Sequence, residues 1–318
     1  GDQNTAIGYQ ALYQNVGSDE EQANIAIGRE AGYGIVANSF NVCIGNKTMQ
    51  KVGHADGDKN VAIGHEALKG SGTSANNDAA SNVAIGYHAA LDITDGDNNV
   101  VIGDSAGENF TANSHNVVIG KNALAAANND ENGNVAIGYY AGSGIDSDTA
   151  DKNVLIGFQA GTGGGAAMIE CVAIGTDALN STGSNAVTGA VAIGSGALTA
   201  LTSGATNTAI GYKAGNALTV GSENVAIGYE ALLSDVGGQH TVAIGKLACR
   251  QQDGGDSTTP MNNTAIGEGA LHYNITGTNN TAIGRAAAYG SSAQSHSHTV
   301  AIGSDALGVI TTGNNNVA

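Results

Sequence analysis

Three kinds of residue in this 318-residue chain carry enough chemistry to build a site. The first is His296-Ser297-His298. In an assembly of three chains its imidazoles would number six, which suits an octahedral first-row metal ion. The second is a set of acidic loops: Asp56-Gly57-Asp58, Asp92 with Asp95 and Asp97, and Asp146-Ser147-Asp148 with Asp151. Calcium needs several such oxygens converging on one point. Neither the EF-hand spacing nor the calcium-binding nonapeptide is present, so these residues read as turn formers. The third is Cys43, Cys171 and Cys249, an odd number that leaves a thiol for burial or for a bond between chains. Cleavage of a polysaccharide would need two carboxylates facing across a cleft. The acidic groups here sit in short loops, the chain has no Trp, and no insertion is large enough to wall a cleft. The expectation is a protein that is not an enzyme and carries no cofactor or metal.

What must position these residues is a repeat. Seventeen copies of a pentad such as Asn224-Val225-Ala226-Ile227-Gly228 align on their Ile, at Ile7, Ile27, Ile44, Ile63, Ile85, Ile102, Ile119, Ile137, Ile156, Ile174, Ile193, Ile210, Ile227, Ile244, Ile266, Ile283 and Ile302. Successive copies are 17 to 22 residues apart. The residue two before the Ile is always Val, Ile or Thr, and the residue after it is always Gly. The residue one before is Ala in 13 copies, with Cys43, Val101, Val118 and Leu155 as the exceptions. The residue three before is Asn in 13, with Cys171, Ala190, Thr241 and Thr299 as the exceptions. Four after the Ile stands Ala in every copy but one, Thr48. A polar run rich in Gly, Ser, Thr, Asn and Asp follows, and all variation in length falls there.

A fixed period of this kind decides the architecture before any other signal. β-branched residues at alternate positions make a short strand. A strand, a corner and a return in each period make one coil of a parallel β-solenoid, with strands about 4.8 Å apart. The fold class is therefore all-β: a β-roll-like parallel solenoid of 17 coils, one continuous array over 1–318. The invariant Gly needs either a positive φ or room for a neighbouring backbone. The second half of each repeat reads as a weaker strand and a loop.

Side chains alternate across a strand, so Val and Ile share one face and Asn, Ala and Gly the other. The bulky face is expected inside, which makes the 17 Ile residues above the repeat core. The bare face is then where chains approach one another, at Ala136, Ala209, Ala226 and Ala243 among others. Stacked Asn side chains are expected to form an amide ladder. The Cys residues fall in coils at least four apart, beyond disulfide reach. Tyr9, Tyr87, Tyr139, Tyr212 and Tyr229, each two after an Ile, are expected to stack up one edge or to bind a glycan.

Bulk composition excludes other classes. A net charge of −17 gives phosphate no basic stripe, so no nucleic-acid partner is expected. No stretch approaches the 18 apolar residues of a membrane span, so no membrane insertion is expected. With 49 Gly and few aromatics, the core is thin, and burial against other chains is expected to supplement it. The first residues open within a linker and Asn316-Val317-Ala318 begins another copy, as though both ends cut a longer array.

The pentad followed by Gly-x-x-Ala, as in Ile227-Gly228-Tyr229-Glu230-Ala231, resembles two related sets of proteins. One is the β-roll head of trimeric autotransporter adhesins, whose repeats are somewhat shorter. The other is the class of phage tail-fibre and bacterial tail-fibre-domain proteins, whose stalk repeats are similar to Asn4-Thr5-Ala6-Ile7-Gly8-Tyr9-Gln10-Ala11-Leu12. The resemblance covers the whole chain. It implies a homotrimeric extracellular fibre, on a virion or a bacterial cell surface, that gives reach and rigidity for attachment. The host receptor or glycan would then be bound by a region outside this segment. The alternative is that the segment is itself an adhesin, binding glycan or protein through its loops and Tyr residues. Left-handed hexapeptide acyltransferases carry their motif three times per coil and ice-binding solenoids carry a regular Thr array; neither pattern is found here.

Overall fold

The computed structural model describes residues 3–16, 22–36, 38–53, 57–72, 77–128, 130–164, 167–183, 185–255, 258–291 and 295–318. Asp56, one of the acidic loop residues, lies outside them. The chain divides into two units, Gly1–Phe158 and Gln159–Ala318. Each is an all-β parallel solenoid, and the described residues contain no helix.

Every copy of the pentad forms a three-residue strand ending on its Ile, from Thr5–Ile7 to Val154–Ile156 in the first unit and from Val172–Ile174 to Val300–Ile302 in the second. Pairing within each unit is parallel and in register, so that Val61, Ala62 and Ile63 face Val83, Ala84 and Ile85. In the second unit Val225, Ala226 and Ile227 likewise face Val242, Ala243 and Ile244.

The Gly after the Ile meets both expectations at once. All 17 have φ between 126° and 146°, a region closed to residues with a Cβ. A Cβ at Gly103 would also lie 2.5 Å from the Gly120 carbonyl oxygen of the next coil.

Among the described residues the expected weaker second strand forms in only four coils, as two-residue pieces that pair Met168–Ile169 with Val187–Thr188 and Gly238–Gln239 with Thr259–Pro260; elsewhere the corner leads into a turn. Residues three and five after the Ile are left-handed, as at Glu66 (φ 55°) and Leu68 (φ 50°). Left-handed residues two apart cannot lie in an extended strand. They turn successive amides to opposite neighbours instead: Glu66 N–H donates back to Asn46 O and Leu68 N–H forward to Ala89 O, both at 2.9 Å. The turn thus keeps the coil-to-coil bonding that a strand would have supplied.

The alternation of side chains is as expected, but its direction is reversed. From Ile25–Ile27 onward the middle residue of each pentad strand is buried, and its two neighbours are half-buried or exposed. The interior therefore holds the Ala before the Ile, the Ala four after it, and the Leu five after it, as with Ala62, Ala67 and Leu68. A further buried position, eight after the Ile, was read as part of a polar loop; Ile35, Val52, Ile93, Phe110, Leu201 and Leu218 occupy it. It fills the gap in four of the five coils where Gly replaces Leu; in the fifth, at Gly161, the position is Gly164 and the large buried side chain is Leu155 on the strand. A Cβ at Gly107 would meet the Phe110 ring at 3.2 Å, and one at Gly32 would meet Ile35 Cδ1 at 3.0 Å. A coil whose far wall already carries Leu has little space for Ile on the strand as well, because interiors close-pack with few voids; Leu155 takes the strand position in a coil with Gly161 in place of that Leu.

The Asn column is buried beside the Ala column, and it bonds mainly to backbone. Asn82 Oδ1 accepts the Asn99 N–H at 2.9 Å, and Asn82 Nδ2 donates to Gly96 O at 2.8 Å. Direct amide bonds such as Asn99 Nδ2 to Asn82 Oδ1, 3.0 Å, are superimposed on this scheme. An Asn bonded in this way clamps the turn of the following coil at two points; Asn41 makes only the first bond, from Asn60 N–H to its Oδ1.

In the second unit several positions eight after the Ile are polar and buried, among them Asp235, Gln252 and Asn274. Gln252 Nε2 donates to Asp235 Oδ2 (2.6 Å) and to Thr241 Oγ1 (2.8 Å), and its Oε1 accepts from Asn263 Nδ2 (2.8 Å). Asp235 Oδ1 accepts the Gly238 and Gly254 amides at 2.8 and 2.9 Å.

Candidate functional site: the outer face of the strands

The two sequence-derived surfaces exchange places. Ala136, Ala209, Ala226 and Ala243, expected between chains, are at most 2 % exposed within a single chain. The Ile column expected as the core lies outside instead. Ile27, Ile210, Ile266 and Ile283 are 37–38 % exposed, and Ile7 and Ile302, in end coils, are 58 % and 59 % exposed. The reason is volume: Ala admits the opposite wall with its Leu, and Ile does not.

Each unit thus presents two parallel columns of β-branched residues, one Val or Thr and one Ile, on a continuous sheet face. All-parallel sheets are found with both faces covered. A contiguous apolar patch of this kind marks a surface that associates.

Beside the Ile column runs the residue two after it. Tyr9, Tyr87, Tyr139, Tyr212 and Tyr229 are 43–69 % exposed. Neighbouring rings stack: Tyr212 with Tyr229 at 5.3 Å and Tyr139 with Phe158 at 5.5 Å between centroids. The same edge carries ion pairs between coils, including Lys121 Nζ to Asp104 Oδ2 (3.0 Å), Lys246 Nζ to Glu268 Oε1 (3.3 Å) and Arg250 Nε to Glu230 Oε2 (2.9 Å). Pairs this open contribute little to stability.

The residues singled out for chemistry do not converge. His296 is buried, its Nδ1 3.3 Å from Asn280 Oδ1, while His298 is exposed. The strand begins only at Val300, so the two imidazoles share no face. Burial pushes the His296 pKa down. Three of the described loop aspartates serve the fold. Asp58 Oδ1 accepts the Ser39 N–H (2.6 Å), Asp97 Oδ1 that of Ala80 (2.7 Å), and Asp151 Oδ1 that of Asn132 (2.7 Å). Each stands five before an Ile and caps the matching residue of the preceding coil. All three cysteines are free and buried. Burial pushes the Cys43 thiol up to about 12 and also raises those of Cys171 and Cys249.

Alignment on the Ile contained a signal for the true interior. The position one before it admits Ala, Cys, Val and Leu but never Thr, whereas the position two before it admits Thr5, Thr208, Thr264 and Thr281. A position that accepts a hydroxyl is the one in reach of water. No protein-family model matches the chain, and neither a curated protein nor a solved structure matches it.

Proposed function

We propose that this chain is a segment of a homotrimeric β-solenoid fibre, extracellular on a virion or a bacterial surface, whose work is mechanical: reach, rigidity and presentation of an attachment site. The observation that carries the reading is the outward Val/Ile face. It is a parallel sheet, apolar and uncovered in the single chain, and copies of the same chain are the partner that would match it coil for coil. The stoichiometry of three rests on the resemblance of the Val-Ala-Ile-Gly repeat to trimeric adhesin heads and tail-fibre stalks. On this reading the chain is not an enzyme, and the host receptor or glycan is engaged by a region outside it.

The test separates assembly from coil folding. Wild type should sediment as a trimer. Ile119→Asp with Ile137→Asp places charges on the outer face and should give monomers that keep their β-circular dichroism, because a buried unpaired charge costs several kcal/mol only once chains close over it. Ala226→Arg should instead unfold coils. A monomeric wild type, or an Ile double variant of unchanged size, rejects the proposal.

A second reading has its own observation, the exposed Tyr edge with stacked rings. Aromatic faces of this kind suit sugar rings, and the segment would then itself be the adhesin. Binding of the isolated segment to host cells, lost on replacing Tyr212 and Tyr229 with Ser, distinguishes it.

A further inference from the structure

The geometry points to a zinc-class divalent metal site on the first unit, formed by His65, Glu66 and His88 with Glu108 as the residue that orients His88. Three coils in succession contribute. His65 and Glu66 stand two and three after Ile63, His88 three after Ile85, and Glu108 six after Ile102. In-register stacking sets them side by side. One ligand atom from each of His65, Glu66 and His88 lies within 4.8 Å of the other two.

The hydrogen bonds around His88 supply an independent argument. Its Nδ1 lies 3.2 Å from Glu108 Oε1, and a carboxylate there must receive a proton. That leaves Nε2 with its lone pair when the ring is neutral. Nε2 points at Glu66 Oε2, 3.6 Å away, which is also a lone-pair donor. Two such groups facing each other favour a cation beside them. A metal ion bound to both is one such cation. Carboxylate, imidazole and metal in this order is the usual arrangement of a zinc-bound histidine. Two imidazoles, one carboxylate and open positions for water are also a common zinc donor set.

The rings are held in place. His65 stacks on Tyr87 at 5.3 Å and 16°, and Tyr87 lies against His88 at 3.8 Å. The side chains of Glu66 and His88 are 13 % and 19 % exposed, open enough for an ion to enter and closed enough to limit their motion.

A competitor is present. Lys69 Nζ bonds Glu66 Oε2 at 2.9 Å, and Lys47 Nζ lies 3.8 Å from Oε1. Partial burial works to raise the Glu66 carboxyl, but the Lys69 hydrogen bond and charge outweigh it, with His65 and Lys47, and hold it below its usual range. A metal ion must displace the Lys69 ammonium from Oε2. This gives the proposal an outcome with an unusual sign: removing a positive side chain that touches no metal should tighten binding.

Isothermal titration of the purified chain with zinc chloride tests it. One ion per chain should bind at this site. His65→Ala with His88→Ala should abolish that binding, and Glu108→Gln should weaken it about 10- to 100-fold. Lys69→Met should strengthen it, and His298→Ala should leave it unchanged. The proposal is overturned if wild type takes up no stoichiometric zinc, if the double His variant still binds, or if Lys69→Met weakens binding while its circular dichroism stays that of wild type.

Discussion

In Gly1–Phe158 the Asn column runs unbroken from Asn4 to Asn153, whereas in Gln159–Ala318 Cys171, Ala190, Thr241 and Thr299 interrupt it. Both units keep the same strand, the same Gly corner and the same parallel register. The requirement is therefore not asparagine but satisfaction of the buried backbone groups that asparagine serves in the next coil. The second unit meets it in other ways. The Cys171 thiol donates weakly to Val187 O at 3.5 Å, the carbonyl an Asn side chain would have reached. Around the same break Met168–Ile169 pairs with Val187–Thr188, so backbone takes the place of a side chain. Gly189 N–H to Ile169 O, 2.9 Å, extends that pairing. At Thr241 the substitute is Gln252, which enters from the opposite wall.

That comparison is broken most directly at Gln252. Gln252→Ala leaves groups on Asp235, Thr241 and Asn263 without the partner they share. Asn263 Nδ2 keeps Gly277 O, so two groups are fully orphaned; buried unsatisfied groups cost about 1–3 kcal/mol each, so the second unit should lose roughly 2–6 kcal/mol. Amide hydrogen exchange followed by peptide should show faster exchange over 225–280 and no change over 83–140. Equal acceleration in both units would mean that Gln252 is not a local replacement for an Asn.

Asn116→Ala applies the corresponding break to the first unit, removing the bonds to Asn134 N (2.8 Å) and Glu131 O (2.9 Å). Two lost partners make the expected cost roughly 2–6 kcal/mol. Asn116→Thr should be as damaging, because the residue corresponding to Gln252 in that coil is Ala127. A Thr variant that melts like wild type would show the side-chain clamp to be dispensable.

The smallest effect is a rate. All three thiols are buried and held protonated, so each should resist iodoacetamide at pH 8 until its coil opens. Cys171 sits in a break of the column, while Cys43 lies between Asn41 and Asn60, where the column continues through Asn41 N–H to Asn24 Oδ1 and Asn60 N–H to Asn41 Oδ1, both 2.9 Å. Cys171 should be labelled several-fold faster in native protein, as local opening follows local stability. Faster labelling of Cys43 would reverse the ranking of the two units.

The period, the three-residue strand, the in-register stack and the Gly corner were all legible in the sequence, because each is a column that repeats with the Ile. Alternation was legible too, but which side faces inward was not. Alternation is symmetric, and hydrophobicity favours Ile for the interior over Ala. Only the width of the coil decides otherwise, and width depends on Leu68 and its equivalents crossing from the far wall. The position eight after the Ile was missed for a related reason. It lies in a segment whose other residues are polar, and in seven coils, as at Asp235 and Gln252, it is itself polar. The cluster at His65, Glu66 and His88 was missed because its members are 23 residues apart in sequence and one coil apart in space. Reading down the columns two and three after the Ile, as was done for Tyr, would have found it.

The in-register pairing of identical pentads bears on how such a gene can change. Every junction between coils within a unit uses the same backbone contacts, with the copies interchangeable at the strand. Misaligned recombination between two copies adds or removes one whole period and still leaves each strand beside an equivalent strand. The product differs in length by a multiple of about 4.8 Å, the spacing of neighbouring strands. Length is then a quantity that heredity can adjust in single steps, without a new contact having to evolve.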